Sequence, residues 1–375
     1  MKIPLFRPQL GKEELKNLSE VFKSAWVGIG PKTQEFEKQF SRYIGTKHAK
    51  GVTSGTAALH IALQALGVGP GDEVIVPAIT VVSTPYAALY NGAKVVFADV
   101  EEDSLCLDPK DFERKITKRT KAVIPVHLGG HSCDMDAIMK IAKKHTIFVV
   151  EDAANALGAR YKGRMVGSIG NIGCFSLEAK KNITTGDGGV LTTNDAKLDE
   201  KIKTLRWYGS SNDTWKRFAG NRKYSWSYDV TELGWKYNMN DIMAAIGLAQ
   251  FAKLPRILKK KDILRAKYSK SLKGLPWLKI AEDQSYTKSG WWLYIVRIKK
   301  GLRNQFVDYM AKNGITTSVH FPPVYHHTYF KKMKIRSLST PISEKVGKEI
   351  VSLPLFAGMS DVEFNYVVKI IQAFK

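Results

Sequence analysis

Two residues of this chain are placed for chemistry: a carboxylate that closes an apolar run and a lysine that opens a glycine-rich turn. Ile147-Phe148-Val149-Val150 reads as a buried parallel strand, and it ends in Glu151-Asp152-Ala153-Ala154. Downstream, Phe175-Ser176-Leu177-Glu178-Ala179-Lys180-Lys181 runs into Asn182-Ile183-Thr184-Thr185-Gly186-Asp187-Gly188-Gly189. A strand-end carboxylate can keep a pyridinium nitrogen protonated, and a lysine can hold an aldehyde as a Schiff base. Asp152 and Lys181 together therefore fit a pyridoxal phosphate site. Transamination needs an amine that leaves the cofactor and then moves protons, and a lysine with depressed pKa does both.

Such a site also needs an anion cup. Thr53-Ser54-Gly55-Thr56-Ala57-Ala58 opens the helix expected through Leu66, and a helix start offers free backbone N–H groups to phosphate. Each part has a plainer reading. Ser54 or Thr56 can be an ordinary N-cap, and Asp152 can cap a helix beginning near Ala153. Ser176 can be a small polar residue at a strand end, or add a phosphate hydrogen bond. A lone lysine is usually solvated, and Lys180 competes with Lys181. The order in which the parts occur joins them into one site.

The elements that must position these residues are legible. Glu73–Val76, Lys94–Phe97, Lys121–Val126 and Ile147–Val150 read as strands, separated by helices at Ala57–Leu66, Val82–Tyr90 and Met135–Lys144. That alternation predicts an α/β fold with a mostly parallel central sheet flanked by helices, whose ligands bind at the carboxyl ends of the strands. Residues 208–237 break the pattern with Trp215, Trp226 and Trp235 in a polar background. Met239–Leu254 reads as a helix, followed by a Lys-rich helix, the β-rich Trp291–Val296 and a closing amphipathic segment Val362–Phe374. The division expected is a large cofactor-binding domain at 1–250 and a smaller C-terminal α/β domain at 251–375.

Composition narrows the class. The chain has 375 residues, 44% hydrophobic and 25% charged, ordinary values for a folded globular protein. No apolar run approaches the ~20 residues that span a bilayer, and the N-terminus has no signal-peptide core, so no membrane insertion is expected. Cys106, Cys133 and Cys174 lack metal-ligand spacing and read as reduced thiols of a cytoplasmic protein, with no metal site. The net charge of +23 suits an anionic partner. With no nucleic-acid-binding motif, nucleic acid is not expected, and the plain reading is a solvated lysine surface. A basic, non-enzymatic regulatory protein that kept the fold is the competing class.

The chain resembles the nucleotide-sugar aminotransferases, the DegT/DnrJ/StrS group of fold-type I pyridoxal phosphate enzymes, over essentially its whole length. The resemblance rests on Trp26-Val27-Gly28-Ile29-Gly30-Pro31-Lys32, Ser54–Leu59, Gly69–Pro77, Pro125–Gly130, Glu151–Ala154, Phe175-Ser176, Lys181-Asn182, Gly186–Gly189, Tyr237-Asn238-Met239, Ala244–Gln250 and Ser352–Phe356. It implies that Lys181, not Lys180, holds the cofactor, and lysine rather than histidine there implies transamination rather than dehydration. Asp152 would meet the pyridine nitrogen, and Asn155 would lie near the ring hydroxyl. Gly55, Thr56, Ala57 and Ser176 would hold the phosphate. Lys236, where relatives usually have asparagine, would complete that site from the neighbouring subunit of a homodimer with shared active sites. Val81 stands where many relatives stack an aromatic ring. The resemblance further implies glutamate as amino donor and a ketosugar nucleotide as acceptor, at C4 by the form of the Ile183–Gly189 turn. A 3-keto sugar or a cyclitol is the alternative. Asp187, His320, Tyr325 and His326 would face the substrate, although these histidines, with His327, can equally be surface groups.

Overall fold

Short β-branched runs separated by helices can pair in parallel because each helix supplies the crossover. The computed structural model describes residues 1–210, 228–280, 282–333 and 339–374. Its first half contains α1 (Lys12–Ser24), α2 (Pro31–Ile44), β1 (His48–Val52), α3 (Gly55–Ala65), β2 (Glu73–Pro77), α4 (Ser83–Tyr90), β3 (Lys94–Ala98), α5 (Pro109–Lys115), β4 (Thr120–Val123), α6 (Met135–His145), β5 (Phe148–Asp152), β6 (Arg160–Tyr161), β7 (Arg164–Met165), β8 (Ile172–Ser176), β9 (Gly189–Thr193) and α7 (Ala196–Leu205). The main sheet has the order β1-β9-β8-β5-β4-β2-β3. Neighbours from β8 to β3 are parallel, and β9 is antiparallel to both β8 and β1. The carboxyl ends of β1, β2, β5 and β8 therefore share one edge, the ligand edge of such sheets.

Side-chain alternation explains the layers. Val74, Val76 and Val150 face a core shared with α3, α4 and α7, whereas Ile75 and Val149 face a second core with α5 and α6. With both faces covered, β2 is buried along its length. The strands and helices expected in this half are present, with ends shifted by a few residues.

The second half departs from the sequence reading in one respect. In place of a helix ending at Leu254 and a separate Lys-rich helix, one helix, α8 (Asp241–Leu272), runs through Pro255. Leu254, Ile257, Lys261, Leu264, Tyr268 and Leu272 are buried along it. This stripe continues across the proline, and its packing outweighs the one missing N–H. The boundary expected between residues 250 and 251 thus falls within a continuous helix. Beyond it come β10 (Leu278–Lys279), β11 (Thr287–Lys288), β12 (Tyr294–Ile298) and β13 (Ile350–Leu353). β10, β12 and β13 form a small antiparallel sheet. Its core includes Tyr268, Tyr294, Phe306 and Ile371, the last from the closing helix Asp361–Ala373, capped reciprocally by Ser360 and Glu363.

The three cysteines are buried free thiols. No described helix is long and apolar enough to cross a membrane. In the aromatic excursion, Trp207 bridges Lys236 and Ser210 bridges Val230; Trp215 and Trp226 lie outside the described residues.

Candidate active site

Asp152 ends β5 at the ligand edge and is 1% exposed. Its Oδ2 accepts the Thr84 hydroxyl at 2.8 Å and its Oδ1 accepts the Ala154 N–H at 3.2 Å. Thr84 directs its proton at Asp152, so in the 2.7 Å contact between the two threonines Thr80 is the donor. Burial pushes the Asp152 carboxyl up, against these hydrogen bonds and the charge of Lys181. A buried acid held this way is relieved by a cation beside it, as a protonated ring nitrogen would be.

Its neighbour Glu151 points to the other side of the strand. It accepts N–H groups of Gly167, Ile169 and Gly170 at 2.7–2.8 Å and lies 3.0 Å from His127 Nε2. His127 Nδ1 accepts the Cys133 N–H, so Nε2 bears the proton donated to Glu151. That pair is structural.

Lys181 follows β8 and turns inward, its Nζ donating to Asn155 Oδ1 at 2.7 Å. The same amine lies 3.7 Å from the centre of the Trp292 ring. Burial lowers Lys181 to about 8, opposed by the carboxylates of Asp152 and Glu178. Lys180 turns to solvent, 3.9 Å from Glu178. Geometry thus separates two lysines that the residue pattern alone left in competition.

The cup is built on the α3 N-terminus. Ser54 caps it by accepting the Ala57 N–H at 3.0 Å. That leaves Gly55 and Thr56 as first-turn N–H groups without intrahelical acceptors. The Thr56 hydroxyl donates to Ser83 at the start of α4, 2.8 Å away, and Ser176 ends β8 against Gly55. A Cβ on Gly55 would lie 2.9 Å from Ser176 Cβ, and one on Gly189 would lie 2.3 Å from the Ser54 carbonyl. The backbone approaches here as closely as glycine permits. Gly55→Ala should cost about 1–3 kcal/mol from overpacking and weaken cofactor binding at least about tenfold by displacing the cup. Thermal unfolding and equilibrium dialysis check the two effects.

The other expected site residues scatter. His320 joins the Lys181 neighbourhood: its ring meets Trp292 edge-on at 5.6 Å and its Nδ1 lies 2.9 Å from Ser352 Oγ. Burial, then the charges of Lys181 and Lys180, brings it down to about 4, so the ring is neutral. Tyr325 and His326 are engaged with Glu344, at 2.7 and 2.9 Å. His327 is exposed, and so is Asp187, whose carbonyl accepts the Thr185 hydroxyl. Val81 is part-buried just after the end of β2. The Lys236 backbone runs beside the cup, since the Thr53 N–H donates to the Tyr237 carbonyl. The Lys236 amine lies instead over its own Trp207 ring at 3.1 Å, lowered by burial.

Trp292, Thr84 and Lys261 are missing from the site residues expected from the sequence, yet all three bear on this site. Lys261 alone leaves a signal there, as a lysine in an otherwise apolar helical stripe. The site as a whole fits pyridoxal phosphate: Asp152 for the ring nitrogen, Asn155 nearby, the α3 N-terminus with Ser176 for the phosphate, and Lys181 for the aldehyde.

Known proteins agree. Residues 8–372 match the DegT/DnrJ/EryC1/StrS aminotransferase family. The spore coat polysaccharide biosynthesis protein SpsC of Bacillus subtilis is 41% identical over 99% of this chain and 96% of that protein. Spr1654 of Streptococcus pneumoniae in its PMP form superposes with a TM-score of 0.93 at 31% identity, covering 98% of both chains, and it is also solved in a PLP form. The sugar aminotransferase CalS13 of Micromonospora echinospora gives 0.90 at 28% identity over 100% of both chains. With this fold and these relatives, the chain belongs to the DegT/DnrJ/EryC1/StrS family and is a pyridoxal-phosphate-dependent sugar aminotransferase.

Proposed function

We propose that the enzyme moves an amino group from glutamate to C4 of a ketosugar carried on a nucleotide, with Lys181 as cofactor lysine and proton shuttle. The observation that carries this reading is the placement of Lys181 Nζ. It is hydrogen-bonded to Asn155 and within the field of Asp152, at the same sheet edge as the α3 N-terminus. Pyridoxal phosphate supplies an aldehyde for amine exchange and an electron sink. Asp152 holds the charge of the ring nitrogen, and the N–H groups of Gly55 and Thr56 anchor the phosphate. Lys181 takes up and returns the migrating proton, for which an amine lowered to about 8 is well matched to neutral solution.

The C4 assignment is supported by the form of the Ile183–Gly189 turn. The nucleotide is supported by the net charge of +23, which draws in a diphosphate. A homodimer is supported by Leu15, Phe22, Val27 and Leu233, large apolar side chains 47–77% exposed on one protomer. Lys236, resting on Trp207, would then serve the neighbouring cup as a point charge.

Incubation with glutamate and UDP-, dTDP- and GDP-linked 4-ketosugars should give an aminosugar nucleotide, detected by mass spectrometry as the keto oxygen replaced by an amine. Turnover of 3-keto sugars or cyclitols alone would move the reaction off C4. A purified chain that binds no borohydride-reducible cofactor would show that Lys181 is not a Schiff-base lysine.

A further inference from the structure

Trp292 is held by contacts from four distant segments. Phe6 stacks on its ring at 5.8 Å and 9°, and the His320 ring meets its edge. Its Nε1 donates to the Lys180 carbonyl at 2.8 Å. Its own carbonyl accepts from Lys261 Nζ at 3.2 Å. The Lys181 amine lies over the ring, 3.7 Å from its centre.

Lys261 is the unusual member. It sits in the apolar stripe of α8, 4% exposed, with no carboxylate bonded to it among the described residues. Besides Trp292 it donates to Asn182 Oδ1 at 2.8 Å. The Asn182 amide in turn donates to the carbonyls of Leu157 and Gly290 at 3.2 and 2.8 Å. One buried amine thus ties the residue after Lys181 to the residue covering Lys181. A buried lysine without a counter-ion is costly to keep, and its two acceptors would be orphaned by an apolar replacement.

We propose that Trp292 and Lys261 are positioning residues for the active-site lysine: the indole shields the Lys181 amine from water and directs it at Asn155, and Lys261 braces the indole. The proposal rests on the reading of Lys181 as the cofactor lysine. The charged and titratable groups facing that amine are Asp152 on β5, Glu178 and Lys180 on its own segment, and His320. Each is left in place by the variants below. Burial brings Lys261 itself down to about 7, so near pH 8 it is largely uncharged and acts through its hydrogen bonds.

The test uses the full chain stripped of cofactor. Formaldehyde and a borane reductant methylate neutral amines, and peptide mass spectrometry reads the rate at Lys181 against pH. The wild-type midpoint should fall at about 8. Trp292→Ala admits water, so the midpoint should rise by about one pH unit or more, whereas Trp292→Phe keeps the cover and should stay within about half a unit. Lys261→Met should shift it in the same direction as Trp292→Ala, by less. If Trp292→Ala shows no cooperative unfolding transition, Trp292→His, smaller and hydrated, is read against the same expectation. An unchanged midpoint in the alanine or histidine variant, or an equal shift in the phenylalanine variant, overturns the shielding role. A Lys261→Met protein that melts lower but keeps the wild-type midpoint overturns the bracing role. Because no cofactor is present, failure of this test is distinct from failure of the proposed function.

Discussion

Lys181→Ala will abolish covalent cofactor capture and lower amino transfer by roughly 10³-fold or more, since both the nucleophile and the proton shuttle are lost. Borohydride reduction followed by peptide mapping reads the first effect, and aminosugar formation the second. Lys180→Ala will keep both, because that side chain faces solvent beside Glu178. The reverse pattern would transfer the role to Lys180. The sharing of sites proposed above adds a second consequence. Mixing Lys181→Ala with Lys236→Glu subunits will restore about a quarter of the sites, those in mixed dimers that receive both native residues. A Lys236→Glu homodimer with full activity, or no recovery on mixing, would count against sharing.

Asp152→Asn will fold and bind cofactor but lower turnover by about 10²–10³-fold, the range seen when one preorganised electrostatic partner is removed. The amide is isosteric; its oxygen can keep the Ala154 N–H while the Thr84 hydroxyl turns to accept from the amide N–H, so the scaffold is preserved. What disappears is the negative charge that, in the proposed role, would keep the ring nitrogen protonated. The cofactor absorbance will consequently become sensitive to pH in a range where the wild type is flat. Near-normal turnover together with an unshifted spectrum would show that another group supplies that charge. Asp152→Ala will lose activity and also stability, because the Thr84 and Ala154 donors are left without their acceptor.

Much of this site is legible in the sequence because its main parts are local. A helix start follows one strand, a carboxylate ends another, and a lysine follows a third. Strand alternation explains why Glu151 and Asp152, adjacent and both acidic, have different fates. One turns to the loop at 167–170 and the other to the ligand edge. What stays hidden depends on contacts between distant segments. Trp292 belongs to a dipeptide that reads as the start of a strand, and nothing in its neighbourhood points to residue 181. Thr84 reads as a helix residue until its hydroxyl is seen to reach Asp152. Pro255 misleads for the opposite reason, since a strong local stop signal is overruled by a buried stripe that continues past it.

That stripe has a practical corollary for chimeras. With 32 residues, α8 is a rod about 48 Å long, and its buried residues serve both bodies of the molecule. Hybrid enzymes that exchange the C-terminal portion with a relative should not be joined near residue 250, where each parent would contribute half of one packed stripe. The join belongs beyond Leu272, at Lys273-Gly274, where the glycine has a positive φ and the helix has ended. Spliced there, Lys261 stays in the same parent as Lys181, while Trp292 arrives from the other. The C-terminal portion then moves as a module, provided the incoming chain also brings an aromatic ring to that position.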